Sequence, residues 1–188
     1  MTELELAGFV FGIAGVYFTL KENVWCFPIG IMNVVLSLFL FWEQQLFADA
    51  FQQFIYVFLL SYGWYKWVNE TDQQNETTIQ NISKSVFFKA TLISILFSVG
   101  LALYLANYTT ATYPWIDSFA TGFSFLAQWM IARKYLENWL VWIPVNITYC
   151  LVYWYKDLPL YVVLFVVYLC LAMYGYSQWK KALQPTKS

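Results

Sequence analysis

Apolar residues run along this chain in long blocks parted by short polar connections. Seven helical spans are predicted, at residues 5–20, 24–42, 47–67, 86–106, 116–133, 138–155 and 158–179. A hydrocarbon core about 30 Å thick takes about 20 residues of helix to cross, and most of the blocks approach that length. Stretches such as VVLSLFLF and ISILFSVGLALYLA do not alternate as barrel strands must. Helices also pair their own backbone groups in lipid, where nothing else can. The expectation is an all-α membrane protein with seven transmembrane helices. The first block is short, and Gly8, Gly12 and Gly15 in it recur near the helical period, so that a neighbouring helix can come close.

Composition strengthens this reading. Of 188 residues, 61% are hydrophobic and 11% charged, against about 25% charged in ordinary soluble domains. The seven blocks nearly fill the chain and leave no room for a separate soluble catalytic domain. The opening MTELELAGFVFG carries Glu3 and Glu5 and lacks the basic start and cleavage site of a signal peptide, so the first block is expected to remain in the mature protein. Histidine is absent, which excludes histidine-based metal sites and histidine general bases. Cys26, Cys150 and Cys170 lie inside apolar blocks without paired spacing and read as small packed hydrophobes. A net charge of −1 with no basic block argues against a nucleic-acid partner. Motifs for hydrolysis, phosphate cradling or zinc binding are missing, so neither enzymatic activity nor a cofactor is expected.

Basic residues set the predicted orientation. Lys21, Lys66, Lys84, Lys89, Arg133, Lys134, Lys180, Lys181 and Lys187 fall on one side, and of the ten basic residues only Lys156 falls on the other. The positive-inside rule then puts the N-terminus outside and the C-terminus in the cytoplasm. The polar connection 68–85 faces the cytoplasm on this argument, leaving the sequons at Asn75 and Asn81 unglycosylated, and reads as a flexible tether between two halves.

The halves resemble one another. Gly8, Phe9 and Phe11 match Gly122, Phe123 and Phe125, and Glu22-Asn23 matches Glu137-Asn138. Asn33 matches Asn146, Trp42 falls against Tyr155, and Tyr56, Tyr62-Gly63 and Trp67 match Tyr168, Tyr174-Gly175 and Trp179. The pattern predicts two three-helix repeats, 5–67 and 116–179, joined by a linker helix at 86–106, within a single transmembrane domain spanning 1–188. One intervening helix returns the chain to its starting side, so the repeats are parallel, in a 3+1+3 arrangement.

Polar groups at membrane depth need a partner or a function. Trp139, Trp142, Asn146, Tyr149 and Tyr153 recur at helical spacing and share one face of the sixth span. Such a face suits a flat, polar-edged molecule: rings stack on it, and the Asn146 amide both donates and accepts. Asn33, Gln52 and Gln128 are further deep amides, with Gln53 a neighbouring candidate; each can alternatively bond another helix. Pro28 and Pro144 interrupt the second and sixth spans, as matched hinges or static kinks. Asp49 is the deepest acid, suited to ion coupling or to an interfacial position, and Asp117 and Asp157 read as boundary residues. Trp64, Trp67, Tyr174, Tyr176 and Trp179 are expected in a cytoplasmic aromatic belt.

WLVWIPVN carries the W-x-x-W-x-x-x-N signature of the PnuC family of vitamin transporters, which this chain resembles also in WCFPIGIMN, in YGWYKW and in AQWMIARKYLENW. The resemblance covers nearly the whole chain in the same order. It implies facilitated diffusion of nicotinamide riboside across a bacterial inner membrane, with trapping by a cytoplasmic substrate kinase. It also implies a fold like that of the SWEET sugar transporters and a homotrimeric assembly in the lipid bilayer. Trp139, Trp142 and Asn146 would line the nicotinamide pocket, with Asn33, Gln52, Gln128 and Tyr149 as further contributors. Longer family members carry extra sequence before the first core helix, and its lack here is expected to leave the cavity intact. Relatives that carry thiamine or riboflavin make another flat heterocyclic vitamin, thiamine first, the alternative substrate. A membrane binding protein that does not transport is the alternative class.

Overall fold

The computed structural model describes residues 3–43, 47–72, 78–109, 111–155 and 159–183. These form seven helices: α1 (Glu3–Leu20), α2 (Cys26–Glu43), α3 (Phe47–Asp72), α4 (Lys84–Tyr108), α5 (Pro114–Ala132), α6 (Asn138–Tyr155) and α7 (Pro159–Leu183). Each overlaps one predicted span, and α3 runs beyond residue 67 into the polar connection. By length and apolarity alone, α2, α4 and α7 suffice to cross a bilayer. The others are shorter or diluted by polar residues, Gln52 and Gln53 in α3, Ser124 and Gln128 in α5, Asn146 and Thr148 in α6. The candidate amides thus fall mainly on the less apolar helices.

The first compact unit, Met1–Thr78, is organised around α2, which packs against α1 and α3. Small residues permit the closeness. A Cβ added at Gly15 would stand 3.8 Å from the Gly30 Cα across the α1–α2 contact. Gly63 of α3 lies under the ring of Phe27, which meets Trp67 edge-on at 4.9 Å and 90°. Pro28 falls in the first turn of α2, where amides have no intrahelical acceptor to lose. It therefore breaks no ladder, and neither the hinge nor the static kink expected from the sequence arises there. Pro144, by contrast, is inside α6.

Within the second unit, Ile79–Ser188, α4 packs on α5, and α6 packs on both α5 and α7. Helix α4 is inverted in polarity. Ser94, Ser98, Ala102 and Leu105 are buried on one stripe, while Phe88, Ile93, Leu96 and Tyr104 are exposed. In water this would be unstable; in hydrocarbon the apolar face meets its preferred solvent and small residues make the helix contact. Gly122 of α5 receives the Ser98 hydroxyl, whose own proton goes to the Ser94 carbonyl at 2.7 Å.

Both units reverse direction in the same way. After α1, the Glu22 amide donates to the Thr19 carbonyl and the Asn23 amide to that of Phe18, with Glu22 at φ 51°. After α5, the Lys134 amide donates to the Ile131 carbonyl and the Tyr135 amide to that of Met130, with Lys134 at φ 50°. Each is a Schellman stop whose left-handed position, usually glycine, holds a charged residue.

Three expectations need correction. Trp67 and Trp179 are not belt residues: they are 4% and 1% exposed, because they fall on the faces that pack against α2 and α6. Trp64 and Tyr174 do face outward. Among the cysteines only Cys26 is buried, while Cys170 is exposed on α7. The tether, finally, is not free at its C-terminal end. The Gln80 amide donates to the Lys134 carbonyl at 3.1 Å, and the Leu136 amide donates back to the Gln80 carbonyl at 2.9 Å. This pairing satisfies backbone groups that a short turn would leave open. The Asn75 sequon, Lys156, Asp157 and Lys187 lie outside the described residues.

Candidate functional site

Helix α6 starts directly after the α5 stop, and its first residue, Asn138, donates through Nδ2 to the Tyr135 carbonyl at 2.6 Å. This fixes the rotation of α6 and so the direction of everything spaced at three and four residues along it. Trp139 turns toward α7 and meets Trp179 edge-on at 5.4 Å. At 2% exposed it is enclosed, and its indole Nε1 has no hydrogen-bond partner among the described residues.

One turn on, Trp142 is half-buried and rests on a cluster formed by Leu126, Ala127 and Met130 of α5 with Val141 of α6. Asn146 is 3% exposed, and among the described residues its Oδ1 finds no hydrogen-bond donor. An open acceptor in so apolar a place is costly unless something supplies a donor. Tyr149 is half-buried, its ring 4.8 Å from that of Phe165 on α7 and 6.0 Å from that of Tyr153. Gln128 is buried on α5.

The second unit therefore carries Trp139, Trp142, Asn146, Tyr149 and Gln128, four of them on one helix. Asn33 and Gln52 belong to the first unit. Asn33 is half-buried on α2 with Oδ1 against Gly8 of α1, 3.6 Å from where a Cβ there would be. Gln52 is half-buried on α3 and has an interaction partner. Asp49 is exposed in the first turn of α3, in keeping with an interfacial position.

Two features have no clear sign in the sequence. One is an apolar groove of about 470 Å³ between α5 and α6, lined by Trp115, Phe119, Phe123, Pro144, Val145 and Thr148 among others, and by none of the predicted site residues. The other is the contact of the Ile79–Ile82 segment with the α5–α6 turn, where the Ile82 amide donates to Glu137 Oε2 at 3.0 Å. The Glu-Asn shared by the two halves and the AQWMIARKYLENW segment both include position 137, but neither points to a partner at Ile82. Chemically, the α6 face carries rings able to stack and an amide able to hydrogen-bond.

Residues 2–181 match the family described as Nicotinamide mononucleotide transporter. The chain is similar to the Nicotinamide riboside transporter PnuC of Escherichia coli, 22% identical with 94% of this chain and 84% of that protein covered. It is 26% identical to the PnuC of Neisseria mucosa, over 93% of this chain and 71% of that one. The Riboflavin/roseoflavin transporter RibM of Streptomyces davaonensis is 21% identical over 93% of this chain and 83% of its own length. A crystal structure of the Vitamin B3 transporter PnuC superposes with a TM-score of 0.78, at 24% identity, over 96% of this chain and 81% of that one, a likeness of fold. With apolar helices of membrane-spanning length and a family match over nearly its whole extent, the chain belongs to the PnuC family of multi-pass inner-membrane transporters and is not an enzyme.

Proposed function

We propose that this chain is a uniporter for nicotinamide riboside, carrying it inward by facilitated diffusion while cytoplasmic phosphorylation traps the product. The observation that carries this reading is Asn146, a buried amide on α6 whose oxygen lacks a donor, between the half-buried rings of Trp142 and Tyr149. A carboxamide or ribose hydroxyl supplies that donor. The rings supply flat faces, and a positively charged pyridinium gains from cation–π attraction to indole. Trp142, Asn146 and Tyr149 contact the ligand in this reading, Trp139 forms the floor behind them, and Gln128, Asn33 and Gln52 are further contributors.

The proposed architecture is two parallel three-helix repeats, α1–α3 and α5–α7, joined by α4, with the N-terminus outside and the C-terminus in the cytoplasm. Its support is the recurrence of the same stop after α1 and after α5, and of the same edge-on aromatic pair between α2 and α3 and between α6 and α7. A homotrimer and a functional link to a substrate kinase complete the proposal. Riboflavin is the second reading, favoured by the similarity to RibM, and thiamine is a third flat heterocycle to compare.

The test is flux into liposomes holding the purified protein with no ion gradient. Labelled nicotinamide riboside should equilibrate saturably and emerge unchanged. Dependence on a proton or sodium gradient, or saturable flux of riboflavin or thiamine alone, overturns the proposal. Binding without flux identifies a receptor instead of a carrier.

A further inference from the structure

The Ile79–Ile82 segment is bound to the α5–α6 turn along its length. Gln80 pairs with Tyr135 in a parallel bridge, through its own amide to the Lys134 carbonyl and its carbonyl from the Leu136 amide. Gln80 Nε2 adds a bond to the Arg133 carbonyl at 3.2 Å. Ile79 is 6% exposed. The Ile82 amide ends the series on Glu137 Oε2 at 3.0 Å, the one bond in it made to a carboxylate. Charge-assisted bonds of this kind are about twice as strong as neutral ones.

The Glu137 carbonyl accepts from the Val141 amide at 3.2 Å, so its backbone opens α6 while its side chain holds the strap. A carboxylate there also faces the positive end of the helix dipole. Beyond Glu137, Ile82 packs against the cluster of Leu126, Ala127, Met130 and Val141, the same cluster on which Trp142 rests. Strap, turn and indole thus share one floor.

We propose that Glu137 is a positioning residue for substrate binding: by fastening the Ile79–Ile82 strap across the α5–α6 turn, it holds the floor under Trp142 and fixes the plane of that ring. The inference rests on the reading of Trp142 as a ligand-stacking residue. The strap also ties the start of α4 to the ends of α5 and α6, so these three ends move as one body when the transporter changes conformation.

The test compares full-length wild type, Glu137→Ala and Glu137→Gln in detergent, by hydrogen–deuterium exchange without ligand and by affinity for nicotinamide riboside. Glu137→Gln keeps an acceptor and should bind within about twofold of wild type. Glu137→Ala should speed exchange both in the strap and in the first turns of α6, and weaken binding about tenfold. A merely structural role would lower melting temperature but leave the affinity of the folded fraction unchanged, and that result overturns the proposal. So does faster exchange confined to the strap. Should Glu137→Ala fold poorly, a disulfide between Gln80→Cys and Tyr135→Cys in that background must restore affinity on oxidation and lose it on reduction. Failure to restore it counts against the proposal. Absence of binding by wild type itself refutes the assigned substrate, and the exchange pattern still decides the role of Glu137.

Discussion

Trp139 and Trp179 meet edge-on between α6 and α7 with ring centroids 5.4 Å apart and planes at 85°. Phe27 and Trp67 repeat this between α2 and α3 at 4.9 Å and 90°, with the same number of residues between the partners. All four rings are nearly inaccessible. In a membrane, apolar area alone does not hold helices together, because lipid accepts it equally well. Shape does, and an edge-on ring pair set close to a small residue is a specific shape. Replacing Trp179 or Trp67 by Ala should therefore cost about 3 kcal/mol, the lower end for large buried aromatics because the transfer contribution is absent. Trp179→Phe should cost less than half as much. Equilibrium unfolding in detergent measures both.

Gly122 is required by contact. An added Cβ would run into the Ser98 hydroxyl and stand 3.1 Å from the Ser94 carbonyl oxygen. Gly122→Ala should destabilise by about 2 kcal/mol through overpacking. Ser98→Ala in the same chain should recover part of that loss and not all, since the Ser94 oxygen belongs to the backbone. Equal melting temperatures for the single and double variants would contradict this account.

The left-handed conformation of Lys134 at φ 50° is one that a side chain disfavours and glycine does not. Lys134→Gly should raise stability by about 1 kcal/mol without altering transport. Glu22→Gly, at φ 51° in the first unit, should do the same. Differential scanning of both variants checks the sign.

Asn146 separates a ligand amide from an amide that bonds helices. Its oxygen is buried without a partner, so Asn146→Leu removes an unsatisfied acceptor and should leave the ligand-free melting temperature level or higher. Affinity for nicotinamide riboside should nevertheless fall at least about tenfold. An amide acting as helix glue would show the reverse, a large loss of stability with affinity intact.

For Trp142, size of ring and presence of ring are distinguishable. Trp142→Phe should weaken binding by a few-fold and Trp142→Ala by about tenfold or more, as stacking and cation–π attraction are reduced and then lost. Ligand-induced thermal stabilisation, which follows affinity by mass action, gives the order directly. Equal dissociation constants for wild type and Trp142→Ala would remove this residue from the site.

Much of the molecule was legible in one dimension. The seven helices follow from runs of apolar residues longer than any alternation, since lipid leaves the backbone no partner but itself. The common face of Trp142, Asn146 and Tyr149 follows from helical periodicity. The hydrophobic pattern is silent, however, on which way each helix is turned. Trp67 and Trp179 look like interfacial aromatics in a list of residues, and only packing against Phe27 and Trp139 reveals them as interior. Pro28 looks like a kink until the start of α2 at Cys26 puts it in a first turn.

Composition and periodicity by themselves determined the solvent, the helices and the helical face that Trp142, Asn146 and Tyr149 share, because those depend on each segment's own chemistry. Tertiary structure decided which rings face one another, that the oxygen of Asn146 is left without a donor, and that a polar connection becomes a strap held by Glu137. Those depend on groups brought together from distant parts of the chain, and a hydrogen bond between Ile82 and Glu137 has no signature at either position alone.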